Sequence, residues 1–340
     1  MKRSTLMALA LGLTLPLMAH ASSSKPWDSP WDDVAVFDLS GDRSDQFEDY
    51  TWEDDADELE GTKKVLLTDF VVEFENGYEH RDDTAHAYAS LEGLSTEGRQ
   101  KLTDQLYEQV VADLTALGWE VVAPNQLTDN PDYQATIKEA VATPYHYETS
   151  LSVDKDESWS RSSMLYSPHG FPLYLPAPDQ RGQRGIGEGG IMGNLFGSVG
   201  VQVYHHEQEL ADNQKVPVLK VWIAVGFGDA MAEHSMFGSK AYAHPHILLR
   251  GGEETRLAFR TVDASANTMS GGKRPGDGSS IVALDQDVVA DADYLAKPPS
   301  SPDAGHFVFT ADEAKYDAIV VKYFAAVREM LLLRLKDEAF

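Results

Sequence analysis

The chain has 340 residues, of which 55 are acidic and 28 basic, and its formal charge is −27. A field of this sign repels the phosphates of nucleic acids and anionic lipids, which excludes both as expected partners and leaves cations or basic proteins. Cysteine is absent, which excludes thiol catalysis, cysteine-ligated zinc, disulfides and a lipid anchor on cysteine. The negative charge is also explained, without any partner, by the need to keep the protein soluble.

Residues 1–21 have the pattern of a secretory signal peptide. Lys2 and Arg3 form a basic head, residues 6–18 are largely apolar, and Ala19 and Ala21 are the small residues that a signal peptidase reads. The apolar run is short for a membrane helix, and no later run reaches the roughly 18 residues that one needs. We therefore expect cleavage after Ala21, a periplasmic or secreted location, and no integral membrane segment in the mature chain.

Residues 22–62 form an acidic leader that contains aromatic residues. Between Trp27 and Glu60 there are fourteen acidic residues, one basic residue and three tryptophans. Disordered spacers are poor in aromatics, so we expect this leader to dock on the body or on a partner. The stretch Asp38–Asp45 has the composition of a calcium loop but not the ligand spacing of an EF-hand. A solvated acidic arm is therefore favoured over a calcium site.

The folded body is expected to begin at Lys63 with a β-strand through Phe74. A loop that contains Asn76-Gly77 follows, and then a helix from Ser95 or Thr96 that Gly118 ends, with apolar residues at helical spacing. Residues 119–123 read as a second strand. Strand, helix and strand in this order predict a βαβ unit with parallel pairing, and a short helix is expected near residues 133–142.

Residues 63–123 resemble the opening unit of exported βαβ domains of the curli-secretion-lipoprotein and TolB-N-terminal type. The resemblance lies in the strand Lys64–Phe70, the helix end Leu114–Gly118 and the strand Trp119–Val122. It implies a role in envelope assembly or secretion, without catalysis. Curli-type lipoproteins are anchored through a cysteine that this chain lacks, so neither an anchor nor any functional residue is transferred.

The second half of the chain predicts an antiparallel meander. Apolar residues alternate with polar ones from Val199 to Tyr204 and from Leu219 to Phe227, and two further strands are expected at residues 240–249 and 255–261. Residues 143–197 and 268–305 read as irregular loops. Thr310 and Glu313 have the spacing of a capping box that begins a terminal helix of about 25 residues.

These elements predict an α/β or α+β fold with one folded body, residues 63–340. Its N-terminal βαβ unit shares a sheet or core with the antiparallel meander, and the C-terminal amphipathic helix packs across it.

Two glycine patterns lie in the loop predicted over residues 143–197. Gly185–Gly190 matches G-x-G-x-x-G, but neither a strand before it nor a helix after it is expected, so a turned or flexible loop is favoured over a dinucleotide site. Gly189, Gly193 and Gly197 are spaced by four beside apolar residues, and this stretch is a candidate contact surface for self-assembly. No cofactor is predicted.

Two histidine pairs, His205-His206 and His244/His246, are the candidates for metal binding. An H-x-H pair on a strand places both imidazoles on one face. The proline between His244 and His246, and the lack of an obvious third ligand, favour structural histidines, while the metal alternative stays open.

Three carboxylates are candidates for buried or catalytic groups because of the sequence around them. Asp69 lies inside an apolar strand, and Asp229 and Glu233 follow the strand that ends at Phe227. Carboxylates at unknown separation do not define an active site, so no catalytic residue is predicted.

The favoured hypothesis is a non-enzymatic exported cell-envelope protein that acts as an assembly or secretion accessory or as a scaffold. Its partner would be another envelope protein or a second copy, contacted through the acidic leader and the glycine loop. Two alternatives remain. One is a periplasmic ligand- or metal-binding module that uses the histidine pairs. The other is an exported hydrolase that works through carboxylates or histidine without a local motif.

Overall fold

The computed structural model describes residues 35–152, 157–174, 199–235, 238–252, 254–262 and 280–339. The predicted signal peptide with Ala19 and Ala21, the glycine patterns between residues 185 and 197, and the first part of the loop predicted over 268–305 lie outside these ranges.

Within the described ranges the chain forms five α-helices and thirteen strands. The helices are α1 Arg43–Tyr50, α2 Thr96–Ala116, α3 Pro131–Ile137, α4 Val199–Gln214 and α5 Glu313–Ala339. The strands are β1 Thr51–Asp54, β2 Lys64–Asp82, β3 Ala85–Glu92, β4 Glu120–Val122, β5 Tyr145–Ser152, β6 Glu157–Tyr166, β7 Val218–Ser235, β8 Gly238–Leu249, β9 Arg256–Arg260, β10 Ser280–Leu284, β11 Val288–Val289, β12 Ser300–Asp303 and β13 His306–Thr310. In these ranges no helix combines the length and the apolar character needed to cross a membrane.

All thirteen strands belong to one mixed sheet, organised around the two long strands β2 and β7. These two run parallel from Leu66 and Val218 onward. On its other edge β2 pairs first with β4 and then with β6, while β7 pairs antiparallel with β9 and β8. Beyond β2 the order continues through β3, β13 and β12.

The two faces of the sheet differ in composition, and this difference positions the candidate site. On one face, Phe70, Val72 and Phe74 of β2 pack with α2 and α5 in the main hydrophobic core. On the other face, Leu66 packs against α3 and α4 in a smaller cluster. The second face also carries the buried carboxylates Asp69, Glu73 and Glu75 of β2.

The predicted α/β architecture is confirmed. Strand β2, helix α2 and strand β4 form the βαβ unit, with parallel pairing of Lys64–Leu66 to Glu120–Val122, and β3 is inserted between β2 and α2 in place of the predicted loop. The Ser95 side chain caps α2, and Gly118 follows the helix with a φ of +93°, a left-handed conformation that favours glycine. The C-terminal helix packs on the sheet, with residues such as Tyr316, Val327 and Leu335 buried.

The strand predicted over Val199–Tyr204 is wrong, because these residues begin helix α4. The alternation of valines covers only six residues. Farther along, the buried residues Glu207, Leu210 and Ala211 recur at the spacing of three and four that one helix face requires. Of the four strands predicted for the meander, the other three are present as β7, β8 and β9.

Asn76-Gly77 does not form the predicted loop, since β2 continues through both residues to Asp82. The pairing of β2 with β6 shifts by one residue between Glu75 and Gly77, which marks a β-bulge. A Cβ atom on Gly77 would lie 2.9 Å from the Tyr88 hydroxyl, so a larger residue here would displace the Tyr88 side chain. The turn comes later, at Asp83, which has a φ of +50°.

The two predicted loops contain strands within the described residues. Strands β5 and β6 fill most of residues 145–166, and their sequences are rich in Ser, Tyr and Trp rather than in alternating aliphatic residues. Strands β10 and β11, with every residue buried, lie inside the region predicted as an exposed loop. Polar strands and short buried strands carry little periodic signal, which explains both errors.

From Val36 onward the acidic leader is part of the folded body. Phe37 is 2% exposed and packs edge-on against Tyr50 at 5.0 Å between ring centroids. Strand β1 pairs antiparallel with β10, so residues before Lys63 add a strand to the sheet. Asp38 and Asp42 accept hydrogen bonds from Ser40 and Ser44, and Asp42 is the N-cap of α1.

The capping box predicted at the start of α5 is wrong, because the residues there form other hydrogen bonds. Asp312 accepts the backbone N–H of Lys315 at 3.2 Å, while Glu313 reaches across to helix α2. Its Oε1 atom accepts hydrogen bonds from the backbone N–H and the hydroxyl of Ser95, at 2.7 and 2.8 Å. Glu313 therefore joins the beginnings of two helices that are more than two hundred residues apart in the chain.

We expect Glu313→Ala to lower the free energy of unfolding by about 1 kcal/mol, because the Ser95 donors lose their charged acceptor. Urea denaturation would measure the loss. Glu329→Ala, an exposed position on the same helix, is the control and should change stability by less. Equal losses in the two variants would contradict a capping role for Glu313.

Candidate functional site

Three carboxylates of β2 lie on the sheet face opposite the main core. Asp69 is 6% exposed, and Glu73 and Glu75 are fully buried. Alternate residues of a strand point to one face, so this spacing aligns all three. Strands that are buried on both faces are normally apolar, which makes a row of carboxylates here unusual.

Glu75 lies between two arginines. Its carboxylate accepts hydrogen bonds from Arg250 Nε and Nη2, at 2.9 and 2.8 Å, and from Arg161 Nη1 at 3.0 Å. Arg161 also binds Glu254 through both Nη atoms, each at 2.6 Å. Arg250 Nη1 lies 3.3 Å from Asp287 Oδ2. We call these five residues the arginine–carboxylate cluster.

A cavity of about 370 Å³ opens beside this cluster. Its walls combine charged, aromatic and hydroxyl side chains: Tyr78, Thr149, Ser150, Trp159, Ser160, Arg161, Arg250, Glu254 and Asp287, with Gly251. The Trp159 ring is held by stacking on His80, with ring centroids 3.6 Å apart. His80 Nδ1 in turn accepts the backbone N–H of Ala232, which leaves Nε2 as the protonated nitrogen in the neutral ring, facing Glu157.

The negative charges exceed the positive charges in and beside this cavity. Arg161 and Arg250 face the three carboxylates of the cluster, and Asp229 Oδ1 lies 3.8 Å from Arg250 Nη1. Within the cluster, two positive and three negative groups leave a formal excess of one negative charge; Asp229 is not counted, because it pairs with His246. The side chain of Asp287 is 41% exposed, so this excess faces solvent.

His244 and His246 lie next to Asp229. As predicted, both imidazoles are on one face of the strand, with Nδ1 atoms 2.9 Å apart, and His246 Nε2 lies 3.1 Å from Asp229 Oδ2. Burial alone raises the pKa of Asp229, but the hydrogen bond from His246 and the charges of Arg250 and both histidines outweigh it and lower that pKa.

The other residues considered from the sequence are placed elsewhere. His206 lies on α4, with its Nδ1 atom 3.4 Å from Glu209, and Glu233 is exposed and accepts a long 3.5 Å hydrogen bond from Tyr242. Among the residues that the structure describes, no three His, Asp or Glu side chains are grouped so that they could hold a metal ion.

Asp69 belongs to a second buried polar group, under helix α4. Glu207 of α4 is fully buried, pairs with Lys220 Nζ at 3.0 Å and accepts a 3.3 Å hydrogen bond from Thr68. Burial, together with the negative charge of Glu207, raises the pKa of Asp69 to about 8 against the opposing positive charges of Lys220 and Arg256. Asp69 is therefore a protonated, neutral carboxyl group at neutral pH.

The burial of Asp69 was expected from the sequence, whereas the arginine–carboxylate cluster was missed. The available signal was the row of acidic residues at positions 69, 73 and 75 in an otherwise apolar strand. Buried carboxylates need partners. The sequence alone does not show that the partners of Glu75 are Arg161 and Arg250, which are 86 and 175 residues away.

In comparisons with known proteins, no protein-family model, no curated protein and no solved structure matches the chain.

Proposed function

We propose that this protein is a non-enzymatic exported component of the cell envelope, an assembly or secretion accessory, that binds a cationic group of its partner in the cavity beside Arg161 and Arg250. The observation that carries this proposal is the formal excess of one negative charge in the arginine–carboxylate cluster, beside a cavity lined by Trp159 and Tyr78. The signal-peptide pattern of residues 1–21 and the resemblance of residues 63–123 to exported βαβ domains support export and an envelope role.

The charge arrangement favours a cation over an anion as the ligand. The guanidinium groups of Arg161 and Arg250 are already bound by carboxylates. An incoming anion would compete with Glu75 and Glu254 inside the cluster, and it would approach through the field of Asp287 and Asp229. An ammonium or guanidinium group would meet those exposed carboxylates directly, with an aromatic wall of the kind that binds cations.

The cavity volume suits the end of a side chain better than a large metabolite. Cavities for drug-sized ligands span roughly 300–1,000 Å³, and 370 Å³ lies near the lower limit. The side chain of a lysine or arginine on a partner surface fits this size and this charge. The overall charge of −27 would also accelerate the approach of a basic partner.

We expect Nα-acetyl-lysine methylamide, which keeps the side-chain ammonium group, to bind the protein. Nα-acetyl-norleucine methylamide, which has no ammonium group, should bind at least about tenfold more weakly. Calorimetric titration would measure both affinities. Asp287→Asn should weaken binding of the lysine compound about tenfold, since one exposed carboxylate of the cavity is removed.

The matched control is Asp303→Asn, which removes the same charge from an exposed position on β12. It should leave the affinity close to that of the unmodified protein. Equal binding of the two compounds, or equal effects of the two substitutions, would contradict cation recognition at this cavity.

A further inference from the structure

Strand β5 is an edge of the sheet. It pairs with β6 in an unbroken register from Tyr145–Leu165 to Ser152–Ser158, and no strand among the described residues pairs with its other side. A strand edge with unpaired N–H and C=O groups is a template for another chain.

Most of the features that usually protect such an edge are not found in β5. Proteins commonly use lysine or another charged side chain, proline, a bulge or a very short strand for this purpose. Strand β5 has eight residues, contains neither lysine nor proline, and has no shift in its register with β6; its one acidic residue is Glu148. Strand β12, another edge of the sheet, has four residues and contains Pro302. These two edges are therefore protected differently.

The cavity lies directly beside this edge. Thr149 and Ser150 of β5 contribute to its wall, together with Ser160 and Arg161 of β6. In a strand added along β5, every second side chain would point to the sheet face that carries Thr149 and the arginine–carboxylate cluster. A basic side chain at such a position would reach the excess negative charge, while the peptide backbone hydrogen-bonds to β5.

We propose that β5 accepts an extended basic segment of a partner protein as an additional strand, with a lysine or arginine of that segment entering the cavity. This inference rests on the proposed cation site and adds the form of the partner to it. Charge complementarity favours a basic segment over an acidic one, because an acidic strand would bring its carboxylates against Asp287 and Glu254. Backbone pairing would supply affinity and the cavity would supply selectivity for a basic residue.

The test uses a blocked heptapeptide of alternating threonine and lysine, the same peptide N-methylated at every amide, and a peptide with glutamate in place of lysine. Methylation removes the backbone donors and keeps the ammonium groups. We expect the unmethylated lysine peptide to bind at least about tenfold more tightly than either of the others, since one or two net backbone hydrogen bonds account for such a factor.

Hydrogen exchange provides the structural readout. Binding of the unmethylated peptide should slow amide exchange in Tyr145–Ser152 and leave the edge strand Ser300–Asp303 unchanged. Equal affinity of the methylated and unmethylated lysine peptides would overturn strand addition while leaving the cation site intact. Protection of β12 rather than β5 would also overturn it. If neither lysine peptide nor Nα-acetyl-lysine methylamide binds the protein, the proposed cation site itself is overturned.

Discussion

Replacing Asp69 by asparagine is expected to make the protein more stable at pH 8 and to flatten its loss of stability between pH 4 and pH 8. The carboxyl group is 6% exposed and its pKa is raised to about 8, mainly by burial. In the unfolded chain the same group ionises near its ordinary pKa of 3.8. Asparagine has almost the same shape and does not ionise, so the variant avoids this difference.

The direction follows from proton linkage. The folded state holds the Asp69 proton more tightly than the unfolded state, so this group contributes fully to stability below about pH 4. That contribution falls by about 1.4 kcal/mol per pH unit as the pH rises, until the folded pKa is reached. The difference in unfolding free energy between Asp69→Asn and the unmodified protein should therefore grow with pH from 4 to 8 and then level off.

Urea denaturation at several pH values would measure this difference. Asp129→Asn, at an exposed position in a turn, is the control and should show the pH dependence of the unmodified protein. A difference that does not grow between pH 4 and pH 8 would contradict the assignment, because it would mean that Asp69 ionises over the same pH range in the folded and the unfolded states.

Replacing Glu75 by glutamine is expected to lower the free energy of unfolding by about 3–5 kcal/mol, the usual cost of removing one partner from a buried ion pair. Glu75 is fully buried, and it accepts hydrogen bonds from both Arg161 and Arg250. Glutamine keeps the shape but has one acceptor oxygen and no charge. The arginines would then be buried beside too little negative charge.

Glu120→Gln is the matched control. Glu120 is paired with Lys64 at 2.8 Å, but the two side chains are 66% and 41% exposed. Exposed pairs contribute about 0–1 kcal/mol, so chemical denaturation should separate the two variants clearly. Similar losses in both would show that Arg161 and Arg250 find sufficient partners in Glu254 and Asp287 alone.

The elements that the sequence predicted well are those whose packing repeats locally. Leu102, Leu106, Val110 and Leu114 are all buried, as their spacing on one face of α2 requires. The parallel pairing of β2 with β4 followed from the strand–helix–strand order. In such cases neighbouring residues in the chain contain enough information to define the element.

The candidate site could be predicted only in part, because its residues come from distant segments. The position of an acidic residue inside an apolar strand was sufficient to predict that Asp69 is buried. The partners of Glu75 depend on β6 lying on one side of β2 and on β7 leading into β8 on the other. That pairing is decided by the whole sheet, and the polar sequences of β5 and β6 gave no periodic signal of it.

The order of strands in the sheet has a consequence for how the chain folds. Strand β1 lies against β10, and β3 lies against β13, so residues such as Ser90 and Val308 become neighbours only when nearly the whole chain is present. Contacts of such long range make folding slow. A chain that emerges N-terminus first cannot complete either pairing early, and the apolar face of β2 is covered only in part, by α2, until α5 arrives. The protein therefore needs protection from aggregation for longer than a helical protein of its size.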